Sequence, residues 1–341
     1  MSKINVLIAG ATGYIGIQLT KILNKHKKVN IKFLCGNTSV GRDISYFDKS
    51  FDKTKLPKII KFRKSLLNKV DLIFTALPNG ETQLISKNLS KKNVLIDLSA
   101  DFRLKKASDF KKWYKINHKA KSNIKKSIYA LPELKGKKIK NYNIISCPGC
   151  YPTSILLPLV PLIKNNFISN RNIIIDSKSG YSGAGRGVHK NYKNKNLYES
   201  LSAYGLAIHR HNSEIQQELD LLTNKKNLFQ FTPHLTPMFR GILSTIYVDL
   251  KKKTNQSKLY SFLKSFYKNH HFVKIVSKDK FLSTNDVINT NNCFISVCKS
   301  KFKDKIIILS AIDNLIKGGG GQAVQNMNIK FGFKENEGLN D

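Results

Sequence analysis

The residues with the most chemical potential in this chain are Ser146-Cys147-Pro148-Gly149-Cys150-Tyr151-Pro152-Thr153. An apolar strand-like run, Tyr142 to Ile145, leads into them, and a helix-like apolar run, Ile155 to Ile163, leaves them. A cysteine in a Pro-Gly turn at a helix start faces outward-pointing N–H groups and the positive end of the helix dipole. Both favour a thiolate over a thiol, and the thiolate is the nucleophile. Cys150 therefore stands as the candidate nucleophile, with Cys147 at the strand end as its neighbour. The pair alone also fits a buried core cysteine, a redox dithiol or half a zinc site. Zinc is not expected, because Cys293 and Cys298 fall at opposite parity on one strand and make a poor second ligand pair.

Three further constellations could serve such a nucleophile. His209-Arg210-His211 stands just ahead of a helix pattern, and one imidazole could draw the proton from Cys150. Ser177 to Arg186 is a Ser/Gly loop ending in a guanidinium, a combination suited to an oxyanion or phosphate. Pro233 to Gly241 is a double-proline loop carrying His234 and Arg240. The whole chain has only seven arginines, at 42, 63, 103, 171, 186, 210 and 240, among 59 lysines and arginines. Each can therefore mark a place where a planar bidentate cation is needed and lysine would not serve.

The elements that must position these groups begin at the N-terminus. Ile4 to Ala9 is a short buried strand, followed by Gly10-Ala11-Thr12-Gly13-Tyr14-Ile15-Gly16 and then a helix pattern. Strand, glycine turn and helix in this order form a dinucleotide fingerprint, with the pyrophosphate received at the helix N-terminus. The second strand, Asn30 to Leu34, ends in Cys35-Gly36-Asn37-Thr38-Ser39 with Gly41-Arg42 following. No carboxylate stands there to hold a ribose 2′-hydroxyl or repel a 2′-phosphate, and Arg42 could pair with one, so NADP is expected over NAD. Further strands at Asp71–Leu77 and Val94–Ser99, linked by a helix-like Glu81–Leu89, repeat the βαβ pattern and imply a parallel sheet. Pro78-Asn79-Gly80 and Ser99-Ala100-Asp101-Phe102-Arg103 occupy the strand ends where such sheets bind ligands. Residues 104–141 read as a connecting segment with one short helix.

Beyond the cysteine turn, six strands between Ile173 and Ala311 alternate in polarity and imply a half-exposed, mostly antiparallel sheet. Helix patterns at Ser213–Leu222 and Lys258–Tyr267 accompany it. The glycines at 318–321 precede a last helix, Gln322 to Phe331, which would return to the first domain. The expected fold is α/β, with a Rossmann-type dinucleotide-binding domain at 1–148 plus the C-terminal 317–341. The second domain, 149–316, is expected to be an α+β catalytic and oligomerisation domain.

A net charge of +37 over 341 residues would ordinarily suggest a nucleic-acid partner. The lysines are scattered through every presumed helix face and loop, however, with no arginine-rich patch. Specific nucleic-acid binding is not expected, whereas weak, salt-sensitive attraction to polyanions is. No apolar run approaches a membrane span, and five cysteines fit a reducing cytoplasm.

GATGYIG (10–16), SADFR (99–103), SCPGCYPT (146–153), SKSGYSGAGR (177–186), HRHNSEI (209–215), PHLTPMFRGI (233–242) and GQAVQNMN (321–328) together carry a resemblance. The chain resembles the N-acetyl-gamma-glutamyl-phosphate reductases of arginine biosynthesis, relatives of the aspartate-semialdehyde dehydrogenases. The resemblance implies reduction of N-acetyl-glutamyl phosphate by NADPH to the semialdehyde, with phosphate released through a cysteine thioester, in a cytoplasmic homo-oligomer. It puts the nucleophile at Cys150 and the base at His211, with His209 as the alternate. Cofactor contacts are expected from Gly10 to Gly16, Arg42, Pro78, Ser182, Gly183 and Asn314, and substrate contacts from Arg103, Ser179, Arg186, Arg210 and Arg240. No metal is expected. Related acyl phosphates, aspartyl or carrier-bound aminoadipyl, and a non-catalytic NADP-binding role remain open alternatives. Where the family usually has asparagine this chain has Cys147, which invites an inactivating Cys147–Cys150 disulfide. Ser213 replaces a usual proline, and Gly319 and Gly320 replace alanines.

Overall fold

The structure, a computed structural model, describes residues 3–52, 54–186, 199–223 and 226–340. Two compact units are formed, one from Met1–Pro148 with Gly319–Leu339 and the other from Gly149–Gly318 with Asn340–Asp341.

The first unit is built on seven parallel strands: β1 (Ile4–Ala9), β2 (Val29–Cys35), β3 (Ile59–Ile60), β4 (Leu72–Thr75), β5 (Val94–Asp97), β6 (Ser127–Tyr129) and β7 (Ile144–Ser146). Their order is β3-β2-β1-β4-β5-β7-β6. The central strands β1, β4 and β5 are apolar and buried, as strands covered on both faces must be. The order reverses between β1 and β4, and there the strand ends part to leave a crevice. Helix α1 (Tyr14–Lys25) leaves β1 through the glycine turn, and α2 (Glu81–Ser86) leaves β4. The segment read as a connector contributes more than expected. It supplies edge strand β6, paired to β7, and short helices at Ala107–Tyr114, Lys121–Ile124 and Pro132–Lys135. These elements are too brief to show a period, and single anchors such as Phe110, Ile124 and Ile139 hold them.

The second unit opens with α3 (Cys150–Lys164), whose residues from Tyr151 to Ile163 are all buried. A helix apolar all round belongs in a core. Burial outweighs the hydrogen bonds lost at Pro158 and Pro161 inside it. A mixed, mostly antiparallel sheet runs β12-β13-β14-β11-β8-β10-β9. Its strands are β8 (Ile173–Gly180), β9 (Ser202–Ala203), β10 (Phe229–Thr236), β11 (Ile242–Asp249), β12 (Val273–Ile275), β13 (Cys293–Lys299) and β14 (Lys305–Ile312). Helices α4 (His211–Thr223) and α5 (Gln256–Phe266) accompany α3. A hydroxyl ladder ties α3 to the sheet: Ser154 Oγ lies 2.8 Å from Ser244 Oγ, which lies 2.7 Å from Ser177 Oγ. On the strands, buried and exposed positions alternate, and Ile174 and Tyr247 stand opposite each other on neighbouring strands, both exposed. Helix α6 (Gly321–Phe331) returns to the first unit. Among the described residues, no helix is long and apolar enough to cross a membrane.

Candidate active site

In the second unit Gly149 is the N-cap of α3 and Cys150 its first residue, partly exposed. The first-turn N–H groups of a helix have no acceptor within it, so donors converge on this end. Pro152, in the same turn, has no N–H to leave unpaired. Three features of the fold converge on Cys150. The Gly149 N–H donates to Glu214 Oε2 at 2.9 Å, tying the turn to the first turn of α4. A Cβ placed on Gly149 would lie 2.3 Å from His211 Nε2, so the imidazole lies directly against the residue before Cys150. A Cβ on Gly318 would lie 2.7 Å from Cys150 Cβ, so the chain at 318 closes over the cysteine's other side.

Glu214, three residues after His211, is fully buried, with Oε1 3.8 Å from His211 Nε2. One carboxylate thus holds the cysteine turn through one oxygen and faces the imidazole with the other. Sequence reasoning passed over Glu214. Its three-residue spacing from His211 on a helix face was the available signal.

The two histidines separate clearly. His209 is packed among the rings of Tyr151, Tyr204 and Phe231. Its Nδ1 accepts from the His211 N–H at 3.2 Å, so it caps the start of α4. Burial, with the Arg210 charge beside it, pushes its pKa down to about 4. His209 is therefore a neutral ring that shapes the site, and His211 is the imidazole set against the cysteine turn. Arg210 itself is exposed.

The other arginines diverge from expectation. Arg103 is buried, and its Nε donates to the Cys147 carbonyl at 2.9 Å while Nη2 donates to Leu98 O at 3.0 Å. It braces the chain entering the cysteine turn from within the first unit. Beside it, burial raises the pKa of Asp97 to about 6 and that of Asp101 in the same direction. Asp101 also accepts from the Gly80 N–H at 2.6 Å and so holds the loop after Pro78. Arg240 pairs with buried Asp313 at 3.1 Å. Asp313 Oδ1 accepts from the N–H groups of Leu315 and Ile316, and its carbonyl accepts from Gly318 N, so it shapes the turn that brings Gly318 to Cys150. Ser179 is buried on β8 and donates to Gly180 O. Asn314 joins Ser182 to Gly241, donating to Ser182 Oγ at 2.9 Å and accepting from Gly241 N at 2.7 Å, with Gly183 alongside. Arg186 ends the described part of the Ser/Gly loop, and residues 187–198 lie outside the described residues.

None of the five cysteines forms a disulfide. Cys147 is buried, and burial pushes its thiol up to about 12. A protonated, inaccessible thiol is a poor partner for disulfide exchange. Among the described residues no cluster could hold a metal ion.

The first unit carries a cleft of about 680 Å³ at the β1/β4 crevice, lined by Gly10, Thr12, Gly13, Gly36, Asn37, Thr38, Pro78 and neighbouring residues. Gly10 has φ +84°, and a Cβ on Gly16 would lie 2.1 Å from Gly10 O, so these two glycines make the turn itself possible. Gly13 differs. Its added Cβ would meet nothing closer than Gly10 O at 3.6 Å, and the room beside it is the cleft. A bare backbone at the N-terminus of a 12-residue helix, facing an open cleft, fits a pyrophosphate. Arg42 does not line this cleft. It stacks on Tyr46, 4.2 Å from the ring centre, in a separate depression with Asp43 and Asp52.

Comparison with known proteins agrees with this division. Residues 5–142 match a family model described as semialdehyde dehydrogenase, NAD binding domain, and residues 150–314 match semialdehyde dehydrogenase, dimerisation domain. An N-acetyl-gamma-glutamyl-phosphate reductase of Clostridium botulinum is 44% identical over 339 residues, covering 99% of this chain and 98% of the relative. A probable chloroplastic N-acetyl-gamma-glutamyl-phosphate reductase of Arabidopsis thaliana is 40% identical, covering 98% of this chain and 84% of its own. Among solved structures, aspartate semialdehyde dehydrogenase II of Vibrio cholerae matches with a TM-score of 0.70 at 17% identity, over 96% of this chain and 98% of that one. The Candida albicans aspartate semialdehyde dehydrogenase with NADP matches at 0.68 and 15%, with 96% and 98% covered. These two show the fold.

Proposed function

This chain belongs to the N-acetyl-gamma-glutamyl-phosphate reductase family, and on that premise we propose how its own residues carry the family's reaction. The substrate is N-acetyl-glutamyl 5-phosphate, and the product is N-acetyl-glutamate 5-semialdehyde. Cys150 attacks the acyl carbon as a thiolate, inorganic phosphate leaves, and a thioester remains on the enzyme. His211 takes the thiol proton and returns it to the Cys150 thiolate, which is expelled as the C–S bond breaks and the tetrahedral oxyanion left by hydride addition to the thioester collapses to the aldehyde. The N–H groups at the start of α3 are placed to stabilise that oxyanion. Glu214 keeps the cysteine turn and the imidazole in register. Gly10 to Gly16 hold the cofactor's pyrophosphate, with Pro78 on the cleft wall. NADPH, when bound, supplies the hydride that converts the thioester to the aldehyde.

The observation that carries the reading is His211 Nε2 set against Gly149, at the helix start that presents Cys150. Arg210, exposed beside His211, and Arg186, at the end of the Ser/Gly loop, grip the substrate's phosphate or carboxylate. Self-association through the second unit accompanies the activity. It is supported by the exposed Ile174–Tyr247 pair on the sheet and by the dimerisation model matching residues 150–314. Five cysteines without a disulfide suit the cytoplasm.

The test is the reverse reaction: N-acetyl-glutamate semialdehyde, phosphate and NADP, with NADPH absorbance followed and Cys150→Ser as control. Phosphate-dependent NADPH formation, lost in the variant, is the expected result. Turnover with aspartate semialdehyde in its place would move the substrate assignment. NADP binding without turnover of either aldehyde would overturn the catalytic reading.

A further inference from the structure

Helix α2 forms one wall of the cleft in the first unit without the means to hold itself in place. Glu81, Leu84 and Ile85, with Asn88 just beyond, are spaced as one helical face and line the cleft beside Pro78. The helix has six residues, too few to be stable alone. Its N-cap is Gly80, at φ +95°, which has no side chain to accept from the first turn. The missing oxygens come from another strand end. Asp101, buried beyond β5, accepts through Oδ1 from the Gly80 N–H at 2.6 Å and from Gln83 Nε2 at 3.0 Å. Its Oδ2 accepts from the Gln83 N–H at 3.2 Å.

The carboxylate is itself fixed from behind. Ser99 Oγ accepts from the Asp101 N–H at 3.3 Å, and the Asp101 carbonyl accepts from His118 Nε2 at 2.8 Å. His118 Nδ1 accepts from the Ala120 N–H, so Nε2 carries the proton. Gln83 Oε1 accepts from the Lys119 N–H at 2.6 Å and closes the network. These contacts lie on the buried side of α2, with Thr82, Gln83 and Ser86, whereas Leu84 on the cleft side is exposed.

We infer that Asp101 is a positioning residue for cofactor binding, which caps α2 from outside the helix and so sets the wall against which the cofactor lies. The inference rests on the cleft reading given above. With an amide in place of the carboxylate, either orientation of the side chain turns an NH2 towards a donor. Losing charge-assisted bonds of this kind leaves the wall in its binding position about a tenth of the time, and apparent affinity falls by that fraction.

The experiment, on the full chain, is calorimetric titration with NADP, paired with KM and kcat in the reverse reaction. In Asp101→Asn the Kd and KM for NADP should rise about tenfold, while kcat at saturating NADP falls by less than about threefold. Gln83→Met keeps the side chain's length, removes one bond to the carboxylate and should raise Kd about threefold; it decides alone if Asp101→Asn does not fold. A lowered melting temperature with NADP affinity unchanged would make Asp101 merely structural and overturn the inference. A fall in kcat with KM unchanged would also overturn it, by placing the effect in the chemistry. Gly13→Asp tests the cleft itself. Its backbone, φ −71° and ψ 163°, suits any residue, so the fold persists while a carboxylate enters the helix N-terminus. NADP affinity unchanged in Gly13→Asp would overturn the cleft reading, and the Asp101 inference with it. Affinity lost there but retained in Asp101→Asn would overturn the inference alone.

Discussion

Gly149→Ala is a one-methyl change whose effect is expected to fall on catalysis far more than on folding. The backbone at Gly149, φ −66° and ψ 160°, is open to alanine, so no strain arises from the main chain. The methyl would lie 2.3 Å from His211 Nε2 and 2.8 Å from Cδ2 and Cε1, far inside contact distance. The obstacle is a side-chain ring that can rotate, and overpacking of this kind costs about 1–3 kcal/mol. In a unit of this size the melting temperature should drop by roughly 2–12 °C. The ring can move only by leaving the cysteine turn. Losing a positioned acid–base group costs on the order of 10²–10⁴ in rate. The assay pairs kcat with the pH dependence of Cys150 alkylation: kcat should fall by at least about a hundredfold, and the alkylation midpoint should rise. A variant with wild-type kcat and an unchanged alkylation profile would refute His211 as the base, whatever its melting temperature.

Two other outcomes follow from the same environment. A limiting dose of iodoacetamide near neutral pH should label Cys150 and spare Cys147, whose thiol is buried and pushed up to about 12; labelling of both by peptide mass mapping would contradict that. His209, held neutral with a pKa of about 4, favours the folded state above its unfolded value near 6.5 and loses that contribution as pH falls towards 4. The loss amounts to at most roughly 3 kcal/mol, so denaturant midpoints between pH 7 and 4 should fall less steeply in His209→Gln than in the native chain.

What the sequence disclosed, and what it hid, follows from the range of the interactions involved. The glycine turn at 10–16 and the cysteine turn at 146–153 are local devices, each requiring residue types at fixed offsets, and each reads directly. The choice of NADP rested on a missing carboxylate after β2, which is also local. Arg42, the cation expected to serve it, stacks on Tyr46 and does not line the cleft. Arg103 and Arg240 illustrate the same limit. A sparse arginine signals a bidentate task, and these two perform it for the chain itself, on the Cys147 carbonyl and on Asp313. Glu214 acts on Gly149 across 65 positions, and Gly318 meets Cys150 across a longer interval, contacts that only the folded chain can reveal.

The contact between Gly318 and Cys150 has an architectural meaning. The second unit is one nearly uninterrupted stretch, entered at Gly149 and left at Gly318, and those two ends touch. This is the geometry of an inserted domain, whose termini lie close enough for the whole segment to be exchanged or permuted as a cassette. Cys150 is the second residue of that cassette. Variation along the body of the insert, including its open sheet face, can therefore proceed far from Cys150, while the few residues at its mouth, from 149 to 150 and at 318, keep little freedom to change.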